Sequence, residues 1–391
     1  MVKPNKPPSV RLETDHFRIK SFQGRRRSPL PEVRNPATAS GPPSVGVPDN
    51  LRPIHRNLCT SGFPYPRRAD YSGRFELVMK PVVRLEDEGA VVSVLPWLCG
   101  RVASYFDKNI QRHVLWSPPG YHFGNLGLSG AWTLGGTEFN AFRFGHNVHG
   151  TSSLQVDAIR LPDGRPGVRF GAFDEMFGAS WQVILTLVGG RLLSRVILGN
   201  HSARPQPCLY WWTTLAVPLG LRDRIMLAPS QFLHHSMFRA GYECHQWPMA
   251  HGADWSRWMN QHEAISGYLA DTPSDFMGYV NEQEGWSFHH RADRRLLKGR
   301  KLWSLGSLNA HHVWWDTLAE PAWSPYCELQ CGLLPVQPDT GIFHAGERIE
   351  WTEVFSVTAG RPDPHGDYAA QFSDFERRAS LSHGDAWSEW N

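Results

Sequence analysis

Three strand-like runs determine the fold expected for this chain: Trp181-Gln-Val-Ile-Leu-Thr-Leu-Val, Leu192-Leu-Ser-Arg-Val-Ile-Leu and Leu209-Tyr-Trp-Trp-Thr-Thr-Leu-Ala-Val. They are rich in β-branched and aromatic residues, as strands are. No helical pattern of about ten to fifteen residues alternates with them, as a parallel βαβ sheet would require. A large antiparallel sheet is therefore expected.

Runs of the same kind continue on both sides, over residues 74–84, 89–98, 167–173, 224–227, 276–280, 285–289, 301–305, 326–331 and 349–357. The pattern predicts an all-β fold, a large antiparallel β-sandwich over residues 70–357. Residues 1–69, rich in Pro, Arg and Ser, are expected to form an extended N-terminal arm around the outside of the sandwich. Residues 358–391 are expected to form a C-terminal appendage with one short helix near 368–378.

Charge and composition exclude several classes of protein. The 391 residues include 40 basic and 37 acidic ones, and without a basic stripe we expect no nucleic-acid partner. No apolar run is long enough for a membrane span, and residues 1–20 lack the apolar region of a secretory signal, so a soluble, cytoplasmic protein without a membrane partner is expected. The six scattered cysteines fit neither a zinc ribbon nor a disulfide scaffold, and no metal or cofactor is expected. The oligomeric state stays open.

Seventeen tryptophans are an unusual number for this length. Aromatic faces stack on the C–H face of sugars, and several of these tryptophans adjoin polar residues. They favour a cleft for an oligosaccharide or sugar substrate, lined by Trp132, Trp211, Trp212 and Trp303. The alternative is that the same side chains only fill a wide sandwich core.

Two polar segments are candidates for the chemistry. Residues 128–149 combine Gly130, Gly135 and Gly136 with Glu138, Asn140, Arg143 and His146, a density that suggests backbone shaped around a ligand. A glycine-rich turn with a solvated face is the alternative. In the run 326–331, alternation predicts that Glu328 and Gln330 share one face, opposite Cys327 and Leu329.

The chain resembles the galactose-mutarotase-like superfamily of aldose 1-epimerase-like β-sandwiches. Within it, the chain is most similar to an uncharacterised bacterial group often joined to tetratricopeptide repeats, although we expect no repeat domain here. The segments that carry the resemblance are Ser61-Gly-Phe-Pro-Tyr-Pro, Val94-Leu-Pro-Trp-Leu-Cys-Gly-Arg-Val-Ala-Ser-Tyr-Phe-Asp-Lys, Gly130-Ala-Trp-Thr-Leu-Gly-Gly-Thr-Glu-Phe-Asn, Leu209-Tyr-Trp-Trp-Thr-Thr-Leu-Ala-Val-Pro, Arg291-Ala-Asp, Lys298-Gly-Arg-Lys-Leu-Trp-Ser-Leu-Gly and Tyr326-Cys-Glu-Leu-Gln-Cys-Gly.

The resemblance implies roles for particular residues. Aldose 1-epimerases carry a general-base glutamate in a Leu-Glu-x-Gln pattern on a late strand, and Glu328 with Gln330 looks like that pair. Their general-acid histidine lies in a strand whose counterpart here, Tyr210-Trp-Trp-Thr-Thr, has no histidine. His201, in Asn200-His201-Ser202, precedes a Pro-rich insertion, so we interpret it as a coincidence. This departure puts simple mutarotation in doubt.

Two carboxylates, Glu138 and Glu328, remain as a potential acid–base pair. Such a pair cleaves glycosidic bonds, one carboxyl protonating the leaving oxygen while the other activates water or attacks the sugar. The sequence thus favours a carbohydrate-active enzyme, first a glycoside hydrolase or transglycosylase with Glu138 and Glu328 as catalytic residues. One alternative is a sugar epimerase with Glu328 as base and a proton donor such as His146. Another is a sugar-binding module without catalysis.

Overall fold

The computed structural model describes residues 8–21, 47–49, 73–125, 131–143, 145–235, 241–269, 271–307, 320, 323–363 and 365–383. The resemblance segment 61–66 and most of the predicted N-terminal arm lie outside these residues. All residues proposed for the sugar site lie within them.

The strands of the first half of the chain are β1 (Ser9–Ile19), β2 (Glu76–Glu86), β3 (Ala90–Leu95), β4 (Arg101–Asp107), β5 (Arg112–His113), β6 (Gly124–Asn125), β7 (Ala131–Trp132), β8 (Thr137–Ala141), β9 (Val156–Arg160), β10 (Pro166–Asp174), β11 (Ala179–Val188) and β12 (Arg191–Asn200). The strands of the second half are β13 (Gln206–Leu209), β14 (Trp211–Pro218), β15 (Arg224–Met226), β16 (Gln231–His234), β17 (Glu243–Gln246), β18 (Met249–Ala250), β19 (Ala253–Asp254), β20 (Ile265–Leu269), β21 (Phe276–Asn281), β22 (Trp286–Ala292), β23 (Gly299–Ser304), β24 (Tyr326–Gly332), β25 (Gly341–Phe343) and β26 (Arg348–Ala359). Helix α1 (Tyr368–His383) follows the last strand.

Two large sheets organise these strands. The first has 14 strands in the order β1-β2-β3-β4-β8-β14-β24-β23-β20-β16-β17-β18-β19, with β5 added beside β4. The second has 8 strands in the order β15-β21-β22-β26-β12-β11-β10-β9. Neighbouring strands pair antiparallel, and one hydrophobic core contains side chains from both sheets. This confirms the all-β antiparallel sandwich predicted from the sequence.

The four central strands β8, β14, β24 and β23 of the larger sheet present two different faces, because successive residues of a strand point to opposite sides. One face is apolar and packs in the main core through Phe139, Leu215, Leu302 and Leu329. The other face carries four polar residues that are register neighbours, one per strand: Glu138, Thr214, Gln330 and Lys301. We call these four residues the polar row.

A buried hydrogen-bond network joins the two sheets behind the polar row. Thr213 of β14 donates to Glu353 of β26 over 2.8 Å, and Trp351 Nε1 donates to the same carboxylate over 3.0 Å. Its other oxygen is 2.8 Å from His290 Nε2. Since Glu353 and His290 are wholly buried, these bonds satisfy groups that would otherwise be costly in the core.

The chain ends outside 70–357 contribute to the sandwich. Within the predicted arm, residues 9–19 form β1, which pairs with β2 along its whole length at the edge of the larger sheet. This part of the arm is therefore a strand of the sheet and not a wrapping segment, because its backbone groups find partners on β2. The predicted C-terminal helix is present and extends to His383, with Phe372, Phe375 and Ala379 buried against the smaller sheet. None of the described helical residues form a stretch long and apolar enough to cross a membrane.

Candidate functional site

Glu138 of β8 is held between two basic side chains at one end of the polar row. Its Oε2 is 2.8 Å from His146 Nδ1, and its Oε1 is 3.3 Å from Arg101 on β4. Burial alone would raise the pKa of this carboxyl, but the charges of His146 and Arg101 outweigh burial and lower it. Glu138 is therefore an ionised carboxylate that orients the His146 ring through Nδ1.

Glu328 of β24 lies at the end of a chain of buried hydrogen bonds. Tyr326 Oη donates to Oε1 over 3.2 Å, and Gln330 Nε2 donates to Oε2 over 2.8 Å. Gln337 Nε2 donates to Gln330 Oε1 over 3.1 Å, and Gln337 Oε1 accepts a 2.6 Å hydrogen bond from Lys301 Nζ. The chain connects a carboxylate to an ammonium group through two amides, so the position of Glu328 is tightly defined.

The charges of the two glutamates influence each other. β8 and β24 are separated by β14 alone, which puts their backbones about 10 Å apart. Burial raises the pKa of Glu328, and the charge of Glu138 adds to the rise, whereas His146 and Lys301 act against it. Burial also lowers the pKa of Lys301 to about 8. The site thus contains two carboxyls whose pKa values move in opposite directions.

Aromatic rings surround this polar centre. Trp132 stacks on the His146 ring with centroids 5.0 Å apart, and Trp303 meets Trp132 edge to face at 5.7 Å. Tyr326 stacks on Trp116 at 4.3 Å. Trp303 and His146 remain partly exposed, so they mark the side from which a ligand would reach the two carboxyls.

Asn140 supports the histidine rather than facing a ligand. Its side chain is wholly buried, donates to Thr214 over 3.3 Å and accepts the Asn147 backbone N–H over 2.8 Å. Asn147 in turn donates to the Phe139 carbonyl over 3.0 Å. These bonds fasten the segment that carries His146 to β8.

The structure places Trp211 away from the site, contrary to the prediction that it lines the cleft. It is wholly buried in the main core, where it packs edge to face on Trp351 and contacts Trp181. Its indole N–H donates to Thr213. The reason is the strand period of two, which turns adjacent residues of β14 to opposite faces.

Trp212 lies on the same face as the polar row but is also wholly buried, in a second core cluster with Tyr210 and Tyr268. Gly332 of β24 is its register partner, and a Cβ there would lie 2.3 Å from the Trp212 ring. The glycine lets the ring lie against the sheet. Trp212 therefore packs against β24, and no described surface of it is open to a sugar.

Arg143 also departs from its predicted role as a sugar ligand. Its guanidinium forms a buried double hydrogen bond with Asp174 and lies over the Phe177 ring at 4.9 Å. Asp174 additionally accepts the backbone N–H groups of Met176 and Phe177. The ion pair ties the segment after β8 to the turn after β10, which is a structural function.

Some polar side chains of the site, among them Arg101, Lys301 and Gln337, go beyond those predicted from the sequence. Lys301 has a sequence signal, because alternation along the predicted strand 301–305 puts it on the same face as Trp303. Arg101 and Gln337 have none, since they reach the site only through the pairing of distant strands and a loop. His201, the other histidine considered, is exposed beside β11 and is 2.7 Å from Ser180.

The geometry is suited to proton transfer. A carboxyl of raised pKa lies near a histidine whose second nitrogen, Nε2, is not the one bonded to Glu138. Carboxylate and imidazole pairs of this kind act as general base and general acid.

Several solved structures share the fold of this chain. The chain is similar to a TPR-domain containing protein from Parabacteroides distasonis ATCC 8503, with 20% identity and a TM-score of 0.71 over 92% of this chain and 56% of that one. The chain thus spans just over half of that protein. It is also similar to galactose mutarotase-like proteins from Lactobacillus casei ATCC 334 (12% identity, TM-score 0.50, 71% of this chain and 100% of that one) and Clostridium acetobutylicum (12%, 0.52, 72% and 96%).

These likenesses confirm the galactose-mutarotase-like fold that the sequence motifs predict. A family model also matches the sequence itself, over residues 58–342, which is more than half of the chain. That stretch contains β8, β14, β23 and β24, and with them both glutamates of the site. The chain therefore belongs to the family described as Domain of unknown function DUF5107.

Proposed function

We propose that the protein is a carbohydrate-active enzyme that interconverts the two anomers of an aldose, with Glu328 as general base and His146 as general acid. The observation that carries this proposal is the 2.8 Å hydrogen bond between Glu138 and His146 Nδ1. It makes Glu138 the partner of a histidine and leaves Nε2 to exchange a proton with substrate. The histidine that the β14 strand lacks is thus supplied from the segment after β8.

The proposed reaction needs only proton transfers. Glu328 takes the proton of the anomeric hydroxyl while His146 Nε2 gives a proton to the ring oxygen, and the bond between C1 and the ring oxygen breaks. The resulting open-chain aldehyde rotates about its C1–C2 bond. Ring closure then returns both protons, so the enzyme is unchanged and only the configuration at C1 differs.

Aromatic and amide groups of the same face would hold the sugar. Trp303 and Trp132 offer ring faces and edges for its C–H groups, and Gln330 offers an amide beside Glu328. Similarity in fold to galactose mutarotase-like proteins supports a sugar as the substrate class.

The test compares two reactions on one preparation. Exchange between anomers is measured by NMR on a panel of aldoses, and glycosidic cleavage on aryl glycosides and oligosaccharides. We expect anomer exchange to be accelerated above the spontaneous rate while the glycosides stay intact. Failure of every aldose to respond would contradict the proposal.

Glycoside hydrolysis or transglycosylation by Glu138 and Glu328 is the second candidate. The observation that favours it is the opposite direction of their pKa shifts, raised at Glu328 and lowered at Glu138, which suits an acid and a base or nucleophile. In that case an aryl glycoside is cleaved, and Glu138→Gln abolishes the cleavage as fully as Glu328→Gln does. Under the epimerase proposal no glycoside is cleaved by either variant or by the wild type.

The pH dependence of anomer exchange is expected to report the environment of Glu328. A general base acts only when it is deprotonated. Because burial raises the pKa of Glu328, kcat/KM should begin to fall at a higher pH, on the acid side, than it would with a glutamate of ordinary pKa. The groups whose charges act on it are His146, Lys301 and Glu138. Because Lys301 lowers this pKa, Lys301→Met is expected to move the acid limb to higher pH.

The measurement is kcat/KM between about pH 4 and 9, corrected for spontaneous exchange. Lys298→Met is the matched control, since Lys298 is exposed and lies three residues before Lys301. Its profile should coincide with that of the wild type. An acid limb that stays in place in Lys301→Met, or moves to lower pH, would be inconsistent with Glu328 as the titrating base.

A further inference from the structure

A second cluster of polar side chains lies at the far end of the larger sheet: His234, Glu243, His245 and His251. One donor atom from each, three imidazole nitrogens and a carboxylate oxygen, all lie within 4.8 Å of one another. Glu243 Oε2 is 3.0 Å from His251 Nε2 and 3.4 Å from His245 Nε2. Three histidines and a carboxylate thus converge on one point.

Strand pairing builds this cluster. His234 of β16 is the register partner of Glu243 of β17, and His245 is the partner of Phe232, two residues before His234. All three side chains therefore share one face of the β16–β17 pair. His251 arrives from the turn between β18 and β19, where its positive φ of 50° folds the ring back onto β17.

His234 is the strongest sign that the cluster takes a ligand. The residue is wholly buried, and its one polar contact, with the Ala264 backbone, leaves at least one ring nitrogen without a hydrogen-bond partner among the described residues. A buried polar group without a partner is costly. Trp255 packs against the rings of His234, His245 and His251 at centroid distances of 4.9, 5.8 and 5.4 Å and forms one wall of the cluster.

The donor set matches a transition-metal ion better than any other ligand class. Imidazole nitrogens suit Zn²⁺ and similar ions, whereas Mg²⁺ and Ca²⁺ prefer oxygen donors. A tetrahedral ion with bonds of about 2.0–2.1 Å separates its ligand atoms by about 3.3–3.4 Å. The distances of 3.0 and 3.4 Å around Glu243 are close to that value.

We propose that His234, Glu243, His245 and His251 bind one Zn²⁺ ion in a closed tetrahedral site. Four protein ligands leave no open coordination position, which is the arrangement of structural zinc sites. The ion would fasten the turn between β18 and β19 to the β16–β17 pair. Its role is the stability of this end of the sheet.

This site is independent of the sugar site. The register neighbours of Lys301 across β20 and β16 are Tyr268 and Leu233, so His234, next to Leu233, points to the opposite face of the sheet from the polar row. Metal binding can therefore be tested without any assumption about the reaction at Glu328.

The experiment uses the full chain without a histidine tag, freed of metal by dialysis against a chelator. Zn²⁺ is titrated in competition with a fluorescent chelator, and Co²⁺ is added separately to record its visible spectrum. We expect one equivalent of Zn²⁺ at a Kd at or below about 1 µM, an intense tetrahedral Co²⁺ spectrum, a Tm raised by Zn²⁺ and no uptake of Mg²⁺.

His251→Gln and Glu243→Gln are expected to weaken Zn²⁺ binding by more than about 100-fold, since changes outside the ligands alone cost 10–100-fold. Glu243 and His251 are both partly exposed, so the variants should fold, and the metal-free Tm checks this. His16→Gln, on β1 at the opposite edge of the same sheet, is the control and should bind like the wild type. No uptake at 10-fold excess Zn²⁺, or uptake unchanged in both variants, would overturn the proposal.

Discussion

Replacing Glu328 with glutamine is expected to lower kcat for anomer exchange by about 10²–10⁴-fold, the usual contribution of a general base. An amide keeps the shape of the side chain and can still hydrogen bond with Tyr326 and Gln330, the two present partners of the carboxylate. It cannot accept and return a proton at neutral pH. The loss should therefore appear in kcat, while the affinity for the sugar, measured by NMR titration, changes little.

Glu350→Gln is the matched control for this prediction. Glu350 lies on β26 of the other sheet, partly exposed and paired with Arg195 and Arg348. Its replacement should leave kcat unchanged. If Glu328→Gln retained the kcat of the wild type, both the epimerase and the hydrolase mechanisms would be wrong, because both assign a proton transfer to this carboxyl.

Arg143→Met is expected to lower the free energy of unfolding by about 3–5 kcal/mol, because it leaves the buried Asp174 carboxylate without its cation. Arg143 is 1% exposed and Asp174 is 7% exposed, so water cannot replace the lost partner. The change is measured by denaturant unfolding followed by tryptophan fluorescence. Arg169→Met is the control, since its pair with Asp157 is exposed and should contribute less than about 1 kcal/mol.

The double variant Arg143→Met/Asp174→Asn separates this structural function from sugar binding. Removing both charges should recover part of the stability lost in Arg143→Met, because no unpaired charge remains buried. If Arg143→Met kept the unfolding free energy of the wild type but lost its affinity for sugar, Arg143 would instead be a sugar ligand.

Alternation along single strands predicts much of this structure. The face shared by Glu328 and Gln330, opposite Cys327 and Leu329, is confirmed by their hydrogen bond and by the burial of the other two in the core. The prediction of an antiparallel sandwich is confirmed as well. It could be made because the residue types and the period of two along a single strand indicate whether one face of that strand is buried. Such patterns need no knowledge of which strands are neighbours.

Alternation does not say which face meets the core when both faces carry large rings. Trp211 and Trp212 are adjacent, and their residue type is the same, so the sequence offers no means to choose between core and cleft. Packing decides it: Trp211 fits between the sheets beside Trp351, and Trp212 lies over the glycines of β23 and β24. Both rings are thereby withdrawn from any ligand.

Local sequence therefore establishes the strands, their buried faces and the Glu328–Gln330 pair, because these depend on residues two positions apart. Other features depend on contacts between strands and loops that are distant along the chain. These features are the partners of Glu138 and the convergence of His234, Glu243, His245 and His251. Arg101 reaches Glu138 because β4 is paired with β8, and His251 reaches Glu243 because a turn folds back onto β17. Strand order and register set these distances. The distances between charged groups, together with burial, then set the pKa values on which the chemistry depends.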